Sequence, residues 1–429
     1  KQLFGQVQSP RHVLSELLQN ADDVGAKCVH AGIDNDRFFF EHDGDDFDEA
    51  QFASLCRFGF SNKRKMHTIG FRGVGFKSLF SLGGTVEVLT PTLAVRFHRQ
   101  RFTEPVWLDD AESIDSTRIS VLIQDSSRRN ELQKNLREWV DSPASLLFFN
   151  SIQELKIDNV TLRKEIVSGG PDAHFSRIRL SGQTDHDVIL FRSAEESFPE
   201  DALEEIRQER DIGDLNFPPC RVEVVIGLPG DQRLYVVLPT GVIVKLPFSC
   251  NAPFLQDPAR SAIKSTSLSP TNRWLLRRLG QLAADAMKGW LSDQSLDLSE
   301  RSRAYQMLPS RPEHVDSLAA DVNVAICSSF EEGMSGSPLL LTQEGRLVHA
   351  ADCVAPPKEA YAIWEGDQLL EMFGKGKKHL LCGHVTAKQR SGLSSWGWLE
   401  DKDKNDLLNC LSLSARVPRP RSYESILTL

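Results

Sequence analysis

The chain has no run of eighteen apolar residues in its 429, so we expect no membrane-spanning helix. Its eight cysteines are scattered without a Cys-x-x-Cys pair, which argues against a zinc site and for reduced thiols in a cytoplasmic setting. The net charge of −9 gives no overall attraction to nucleic acid, although a local groove stays an open alternative. The chain begins at Lys1 without a signal-like segment, so we expect a piece of a longer protein.

What the chain does contain is typical of a globular protein, with 40% hydrophobic and 25% charged residues. Residues 9–25 have the pattern of an amphipathic helix: Ser9 suits the N-cap, Pro10 the first helical position and Gly25 the stop. The apolar residues between them recur at helical spacing and form one stripe: Val13, Leu14, Leu17, Leu18 and Ala21. The pattern predicts a helix that packs on a core.

Three polar residues of this helix, Glu16, Asn20 and Asp23, stand at i, i+4 and i+7 and share a face beside the stripe. A carboxylate can orient and deprotonate an attacking water. An amide oxygen suits Mg²⁺, which bridges substrate phosphates. Taken alone, the segment is equally well explained as an amphipathic helix with an ordinary solvated side.

A glycine-rich segment, Gly70-Phe-Arg-Gly73-Val-Gly75-Phe-Lys-Ser78, leads into a second predicted helix. Backbone N–H groups at such a turn, together with the helix dipole, favour an anion such as phosphate. A Walker loop needs glycine directly before Lys-Ser, where this chain has Phe76, and a dinucleotide site needs G-x-G-x-x-G. The segment therefore predicts a phosphate-binding loop of another kind.

Together these segments resemble the GHKL ATPase superfamily, which contains gyrase, the ninety-kilodalton heat-shock chaperone, histidine kinases and MutL. The shared pattern is Glu-x-x-x-Asn-Ala-x-Asp at residues 16–23, an Asp-Gly turn at Asp43-Gly44, and G-x-x-G-x-G-F at residues 70–76. The residues of these boxes are most similar to the sacsin-like branch. The similarity is dense over residues 1–125 and thinner beyond.

The resemblance implies a role for each matching residue. Glu16 is then the general base, Asn20 the Mg²⁺ ligand and Asp23 a supporting carboxylate, with ATP and Mg²⁺ as the implied cofactors. A larger set is then expected to hold the nucleotide: Asp43, Gly44, Lys63, Gly70, Gly73, Val74, Gly75, Phe76, Lys77 or Ser78, and Thr117. Two ordinary explanations stay open, a solvated loop for the basic residues 63–65 and β-propensity for Thr117.

One position departs from the superfamily, which usually places Asp two residues before the glycine of its Asp-x-Gly box to read the adenine amino group. Here that position holds His42, and Asp43 stands in the middle. Either the loop shifts so that Asp43 reads the base, or His42 or a water replaces it. Adenine recognition is therefore less firmly implied than phosphate recognition.

The loop of residues 248–264 resembles the sacsin-like continuation of the ATPase. In related ATPases a second domain supplies a basic residue to the γ-phosphate, where a guanidinium stabilises charge in the transition state. Arg260 is the first candidate and Lys264 the second. The alternative is a surface cation near a domain joint.

The predicted fold class is α+β. We predict a two-layer α/β sandwich of the Bergerat type over residues 1–130, a transducer-like α/β middle domain over residues 131–295, and a small C-terminal region over residues 296–429. The predicted strands are residues 28–34, 37–41, 85–90, 93–98, 117–123, 146–157, 187–191, 221–228 and 233–238. The other predicted helices are residues 48–58 and 270–291.

Gly333-Met-Ser335-Gly336-Ser337-Pro338 has the pattern of the nucleophile turn in trypsin-like proteases. That chemistry needs a His base and an Asp orienter brought together by two β-barrels, and too little sequence is left for them. The residues from Pro338 to Val348 resemble instead a strand-and-turn passage that follows the ATPase in sacsin-like proteins.

The leading hypothesis is Mg-dependent ATP binding and slow hydrolysis that drive a conformational switch in a sacsin-like protein, with a chaperone-like, defence or nucleic-acid-associated role. The alternative is an interaction module that holds nucleotide without turnover or has lost it. A histidine kinase is disfavoured because the chain lacks a dimerisation helix pair with a phospho-acceptor His. The expected partners are ATP, a client or effector domain of a longer chain, and a second copy in an ATP-dependent homodimer, with no membrane.

Overall fold

The computed structural model describes residues 13–56, 76–109, 114–170, 173–210, 217–257, 262–313, 315–413 and 418–422. The described residues form two compact units. The first comprises those up to Gly241, those of 250–264 and residues 268–271; the second comprises residues 242–249, 265–267 and those from 272 onward.

The first unit is built on a mixed sheet of fourteen strands among the described residues. The strands are β1 (Cys28–Asp34), β2 (Arg37–His42), β3 (Thr85–Leu89), β4 (Ala94–His98), β5 (Arg101–Trp107), β6 (Thr117–Leu122), β7 (Glu154–Ile157), β8 (Val160–Ser168), β9 (Phe175–Ser181), β10 (His186–Arg192), β11 (Glu223–Ile226), β12 (Arg233–Val236), β13 (Leu238–Ile243) and β14 (Ser249–Asn251). Their order across the sheet is β13-β12-β14-β11-β10-β9-β8-β7-β1-β2-β6-β3-β4-β5.

Four α-helices accompany these strands in the described part of the chain: α1 (Val13–Asp23), α2 (Glu49–Leu55), α3 (Ser126–Asp141) and α4 (Glu200–Arg210). Two 3₁₀ helices, Phe76–Ser81 and Pro143–Phe148, complete the first unit. The boundary predicted at residue 130 falls inside α3, and β7 pairs in parallel with β1, so the sheet continues across it. The three-domain division stays a prediction.

The core of the first unit lies on one face of the sheet. Apolar residues alternate along the central strands and point to that face: Val29, Ala31, Phe38, Phe40, Val86, Val88, Val95, Phe97, Ile119 and Val121. Leu14 and Leu17 of α1 and Leu132 of α3 belong to the same buried cluster. The first part of the chain is therefore a helix layer packed on a sheet, which agrees with the α+β class in general.

Helix α1 ends where the sequence predicted. Gly25 has φ = 77°, a conformation that glycine adopts without steric cost and that is frequent after a helix C-terminus. The N–H of Ala26 donates to the Ala21 carbonyl at 3.0 Å, which satisfies one of the last free carbonyls. The start predicted at Ser9 and Pro10 lies outside the described residues.

Most predicted strands of the first unit are confirmed within one or two residues, among them β1, β2, β3, β4 and β6. The predicted strand of residues 146–157 is wrong in its first half, because Pro143–Phe148 forms a 3₁₀ helix and only Glu154–Ile157 is a strand. The predicted helix of residues 48–58 is α2, with reciprocal Asp48 and Gln51 capping contacts at its start.

The second unit is mainly helical in its described part. Its helices are α5 (Pro270–Ser292, which begins in the first unit), α6 (Leu298–Ser302), α7 (Leu318–Met334), α8 (Ala360–Ile363), α9 (Gly366–Phe373), α10 (Ala387–Ser395) and α11 (Lys404–Leu413), with 3₁₀ helices Arg303–Met307 and Ala350–Asp352. Two short sheets pair β15 (Leu340–Leu341) with β16 (Leu347–Val348) and β17 (Cys353–Val354) with β18 (His379–Leu380). The predicted helix of residues 270–291 is α5, whose buried apolar side chains include Leu275, Leu276, Leu279, Ala283, Ala284 and Met287.

The protease-like sequence at residues 333–338 forms the end of α7. Gly336 has φ = 71°, and the Ser335 N–H donates to the Glu331 carbonyl at 3.0 Å. Both features are those of a helix C-terminus, so the Gly-x-Ser-Gly pattern is explained by helix termination.

All eight cysteines carry free thiols. None of the helices in the described ranges combines the length and the apolar content needed to cross a membrane.

Candidate functional site

Two elements of the predicted site, the acidic helix and the element after the glycine-rich segment, are in contact in the structure. Helix α1, which carries the acidic box, contacts the 3₁₀ helix Phe76–Ser81, which directly follows the glycine-rich segment. This element is a six-residue 3₁₀ helix, whereas the sequence predicted an ordinary helix. Its contact with α1 places the end of the predicted phosphate loop beside the predicted catalytic helix.

The polar face of α1 runs from buried to exposed along the helix. Glu16 is 7% exposed, Asn20 is half-buried and Asp23 is exposed. A carboxylate held near the core and a carboxamide at its edge are suited to a water and a cation between helix and sheet. Asp23, at the solvent-exposed end of this face, is suited to a supporting role.

Asp22 is a structural residue that the sequence analysis passed over. Its carboxylate is buried and accepts the backbone N–H groups of Asn150, Ser151 and Ile152 at 3.0, 2.6 and 3.0 Å. The helical spacing could have indicated this role, because Asp22 stands four residues after Leu18 and eight after Leu14, on the apolar stripe of α1. A carboxylate at such a position needs hydrogen-bond donors from the core.

Lys164 lies close to this contact and was also missed. Its Nζ donates to the Phe149 carbonyl at 2.5 Å. Burial lowers the pKa of Lys164 to about 8, and the charge of Asp22 opposes that change. The C-terminal part of α1 is thus held by a charged network that reaches β8.

The position predicted to recognise the base lies at the end of β2, directly opposite the start of β6. His42 and Thr117 are cross-strand partners, and both side chains are buried on the core-facing side of the sheet. The Gly44 N–H donates to His42 Nδ1 at 3.2 Å. Burial lowers the pKa of His42, although Asp43 and Glu41 nearby oppose the change. His42 is therefore a neutral imidazole at neutral pH.

Thr117 has an unexplained polar atom. Its side chain is 1% exposed, and its Oγ1 has no hydrogen-bond partner among the residues that the structure describes. A buried hydroxyl without a partner costs about 1–3 kcal/mol, so such an atom in a native fold calls for a ligand or an ordered water. This observation fits a nucleotide base at the end of β6, where the resemblance placed it.

Asp43 is bonded to the segment that follows α1. Its Oδ1 accepts the backbone N–H groups of Lys27 and Cys28 at 2.8 and 2.9 Å, and its side chain is otherwise exposed. A Cβ added to Gly44 would lie 2.9 Å from the Val24 carbonyl oxygen. The Asp43-Gly44 turn is thus fixed against the segment that follows α1, and glycine is required there for close approach.

The remaining predicted site residues divide into two groups. Six of them lie outside the described residues: Lys63, Gly70, Gly73, Val74, Gly75 and Arg260. For Lys77 the structure describes only the backbone. Phe76 packs its ring against Phe80 and Phe97, which explains it as a core aromatic. Lys264 is ion-paired with Glu209 and Glu205 of α4 at 2.6 and 3.5 Å, so it is already neutralised.

A scan against models of protein families finds no match to this chain, and a search of curated proteins finds none either. The likeness to the GHKL ATPases therefore depends on the motif residues of the sequence.

Proposed function

We propose that the first unit binds ATP with Mg²⁺ in a Bergerat-type fold and hydrolyses it slowly, and that this cycle drives a conformational switch in a sacsin-like multidomain protein. The observation that carries the proposal is the arrangement around α1. Helix α1 contacts the 3₁₀ helix that directly follows the glycine-rich segment, and the adjoining sheet carries a buried hydroxyl, Thr117 Oγ1, that has no hydrogen-bond partner among the described residues.

Each described residue has one task in this proposal. Glu16 orients the attacking water and takes its proton, a role that its buried carboxylate on the polar face of α1 is suited to. Asn20 offers its amide oxygen to Mg²⁺, which neutralises charge on the phosphates when bound. Thr117 and His42 meet the base. Phosphoryl transfer depends on positioning and charge neutralisation, so slow turnover is sufficient for a switch.

A second candidate is a nucleotide-binding interaction module without turnover. The observation that favours it is the commitment of Asp43 to two backbone N–H groups, together with histidine at the position where the superfamily has its aspartate. A site with altered base recognition can keep binding and lose catalysis, since the two depend on different contacts.

The deciding experiment measures Mg-dependent ATP binding and ATPase rate for the wild type, Glu16→Gln and Asn20→Ala. We expect Glu16→Gln to bind ATP with unchanged affinity and to lose at least about a hundredfold in turnover, as for a general base. We expect Asn20→Ala to lose the Mg-dependent part of binding. Glu204→Gln, an exposed glutamate on α4, is the matched control and should keep both properties.

Three outcomes would be informative, and the first of them separates the two candidates. Equal, negligible rates for the wild type and Glu16→Gln with intact nucleotide binding would establish the interaction module. The absence of nucleotide binding in the wild type would refute both. A lower rate in Arg260→Ala with unchanged affinity would support the predicted contact of that residue with the γ-phosphate.

The biological setting is part of the same proposal and follows from the resemblance. A chaperone-like, defence or nucleic-acid-associated role, a client or effector domain in a longer chain, and an ATP-dependent homodimer are all compatible with a nucleotide switch. Sedimentation with and without a non-hydrolysable ATP analogue tests the homodimer directly.

A further inference from the structure

The protonation of His42 is fixed by the backbone. A peptide N–H can only donate, so the contact from Gly44 requires an unprotonated, accepting Nδ1. A neutral imidazole with an accepting Nδ1 carries its proton on Nε2. The side chain at the end of β2 is therefore a hydrogen-bond donor on its other edge.

Two aspartates that follow His42, Asp43 and Asp46, are engaged elsewhere. Asp43 Oδ1 accepts from Lys27 and Cys28. Asp46 accepts the Thr92 N–H and hydroxyl at 3.1 and 2.6 Å, and these bonds contribute to its lowered pKa. Both carboxylates are engaged in holding their own turns.

Thr117, the cross-strand partner of His42, does not select a base by itself. Its hydroxyl can donate to one group and accept from another, and Oγ1 is uncommitted within the described structure. The fixed donor on His42 is therefore the group that discriminates between bases.

Purines differ at the edge that such a donor would meet. Adenine presents an amino group, a donor, at the 6-position, whereas guanine and hypoxanthine present a carbonyl oxygen, an acceptor. Two donors facing each other leave both unpaired and desolvated, which a binding site rejects.

We propose that this site recognises purine nucleoside triphosphates through a 6-carbonyl oxygen that accepts a hydrogen bond from His42 Nε2–H, so that GTP and ITP bind more tightly than ATP. The inference rests on the proposed nucleotide site and specifies its substrate class. It assigns to His42 the choice of base, while Glu16 and Asn20 keep their roles with any triphosphate.

The first test uses the unmodified protein with Mg²⁺ and four ligands: ATP, 2-aminoadenosine triphosphate, GTP and ITP, titrated calorimetrically in the cold to suppress turnover. We expect affinities to divide by the 6-substituent, with GTP and ITP about tenfold tighter than the two 6-amino nucleotides, or about 1.4 kcal/mol. A preference for both 6-amino nucleotides would overturn the inference and leave the proposed function standing. Binding of none of the four would overturn both.

The second test changes His42, the residue proposed to contact the base. His42→Asp supplies an acceptor in place of the donor and should shift the ratio of ATP to GTP affinity toward ATP by at least tenfold. His42→Gln, whose amide can turn either face, should reduce the preference to within about threefold and covers the case in which a buried carboxylate prevents folding. His30→Gln, a histidine on the adjacent strand β1, is the control and should leave the ratio unchanged. An unchanged ratio in a folded His42→Gln would refute the role of His42.

Discussion

Single polar residues around the candidate site are fixed by backbone groups, and this decides what each can still bind. Asp43 is occupied by the Lys27 and Cys28 N–H groups, whereas His42 accepts one N–H and keeps a donor nitrogen. Thr117 keeps its whole hydroxyl available among the described residues. One carboxylate oxygen of Asp43 is thus used by the fold, and the contact of Asp43 with a base stays a prediction.

The buried His42 should make the protein sensitive to mild acid. Its pKa in the folded state lies below the ordinary 6.5, mainly because burial disfavours the charged form, so the unfolded chain binds more protons between those two values. The contribution of His42 to stability is therefore complete above pH 6.5 and is lost as the pH falls from 6.5 through the lowered pKa. Urea unfolding at pH 7.5 and 5.5 should show a larger loss for the wild type than for His42→Gln.

The comparison with His42→Gln isolates this residue, because the pKa of His30 is also lowered by burial and acts identically in both proteins. Equal losses of unfolding free energy in the two proteins would show that His42 is not held neutral by the fold.

At the scale of elements, α1 is attached to the sheet by a polar contact as well as by its apolar stripe. The Asp22 carboxylate accepts three consecutive N–H groups in the segment that leads into β7, and β7 pairs in parallel with β1. A rigidly held α1 keeps Glu16 and Asn20 in fixed positions relative to the sheet. Precise placement matters because a displacement of about 1 Å in a catalytic group costs roughly a hundredfold in rate.

We expect Asp22→Ala to lower the free energy of unfolding by about 3 kcal/mol, because three backbone N–H donors, one of them fully buried, lose a charged acceptor. Asp23→Ala is the matched control: it removes the neighbouring carboxylate of the same helix, but from an exposed position, and should cost under about 1 kcal/mol. Chemical denaturation of both variants measures the difference, and similar values for the two would contradict the assigned role of Asp22.

The sequence predicted helices and strands well where a local pattern identifies them. It predicted them less well where the position of a strand in the sheet decides which residues it tolerates. β1 and β2 were predicted as strands, and the two residues between them, Asn35 and Asp36, form a tight turn in which both have positive φ. β5 was missed since Pro105 interrupts its pattern, and proline is tolerated there because β5 is the edge strand. The continuation of the sheet through fourteen strands could not be read from any local window.

At the scale of the whole molecule, each unit has its own buried core and its own buried charge. The second unit packs Val354, Ile363, Trp364 and Leu380 in one cluster. Beside Val354 in sequence, the Pro356 carbonyl accepts from Arg390 Nη1 at 2.6 Å. The Arg390 side chain is 2% exposed and also pairs with Asp401 at 3.2 Å. A guanidinium is suited to this position because it is planar and can bond to several acceptors at once.

We expect Arg390→Lys to lower the free energy of unfolding by about 3 kcal/mol. An ammonium on a flexible stem cannot reproduce the stacking of the guanidinium, whose carbon lies 5.3 Å from the Tyr361 ring centre, or hold the geometry of the two bonds that Nη1 donates to Pro356 and Asp401. Lys388→Arg makes the reverse exchange at an exposed position of the same helix and should change stability little. Urea unfolding gives the magnitude, and hydrogen exchange over residues 353–401 should show increased opening in Arg390→Lys only.

The sequence by itself determined which residue types stand at the candidate site and which segments form strands and helices, because periodicity and end signals act over a few residues. The tertiary structure alone decided which carboxylates are committed: Asp22 bonds to N–H groups 128 to 130 positions away, while Asp23 beside it is exposed. It also decided that Thr117 faces His42 across two strands that are distant in the chain. These outcomes depend on backbone donors brought in by folding, which no local pattern encodes.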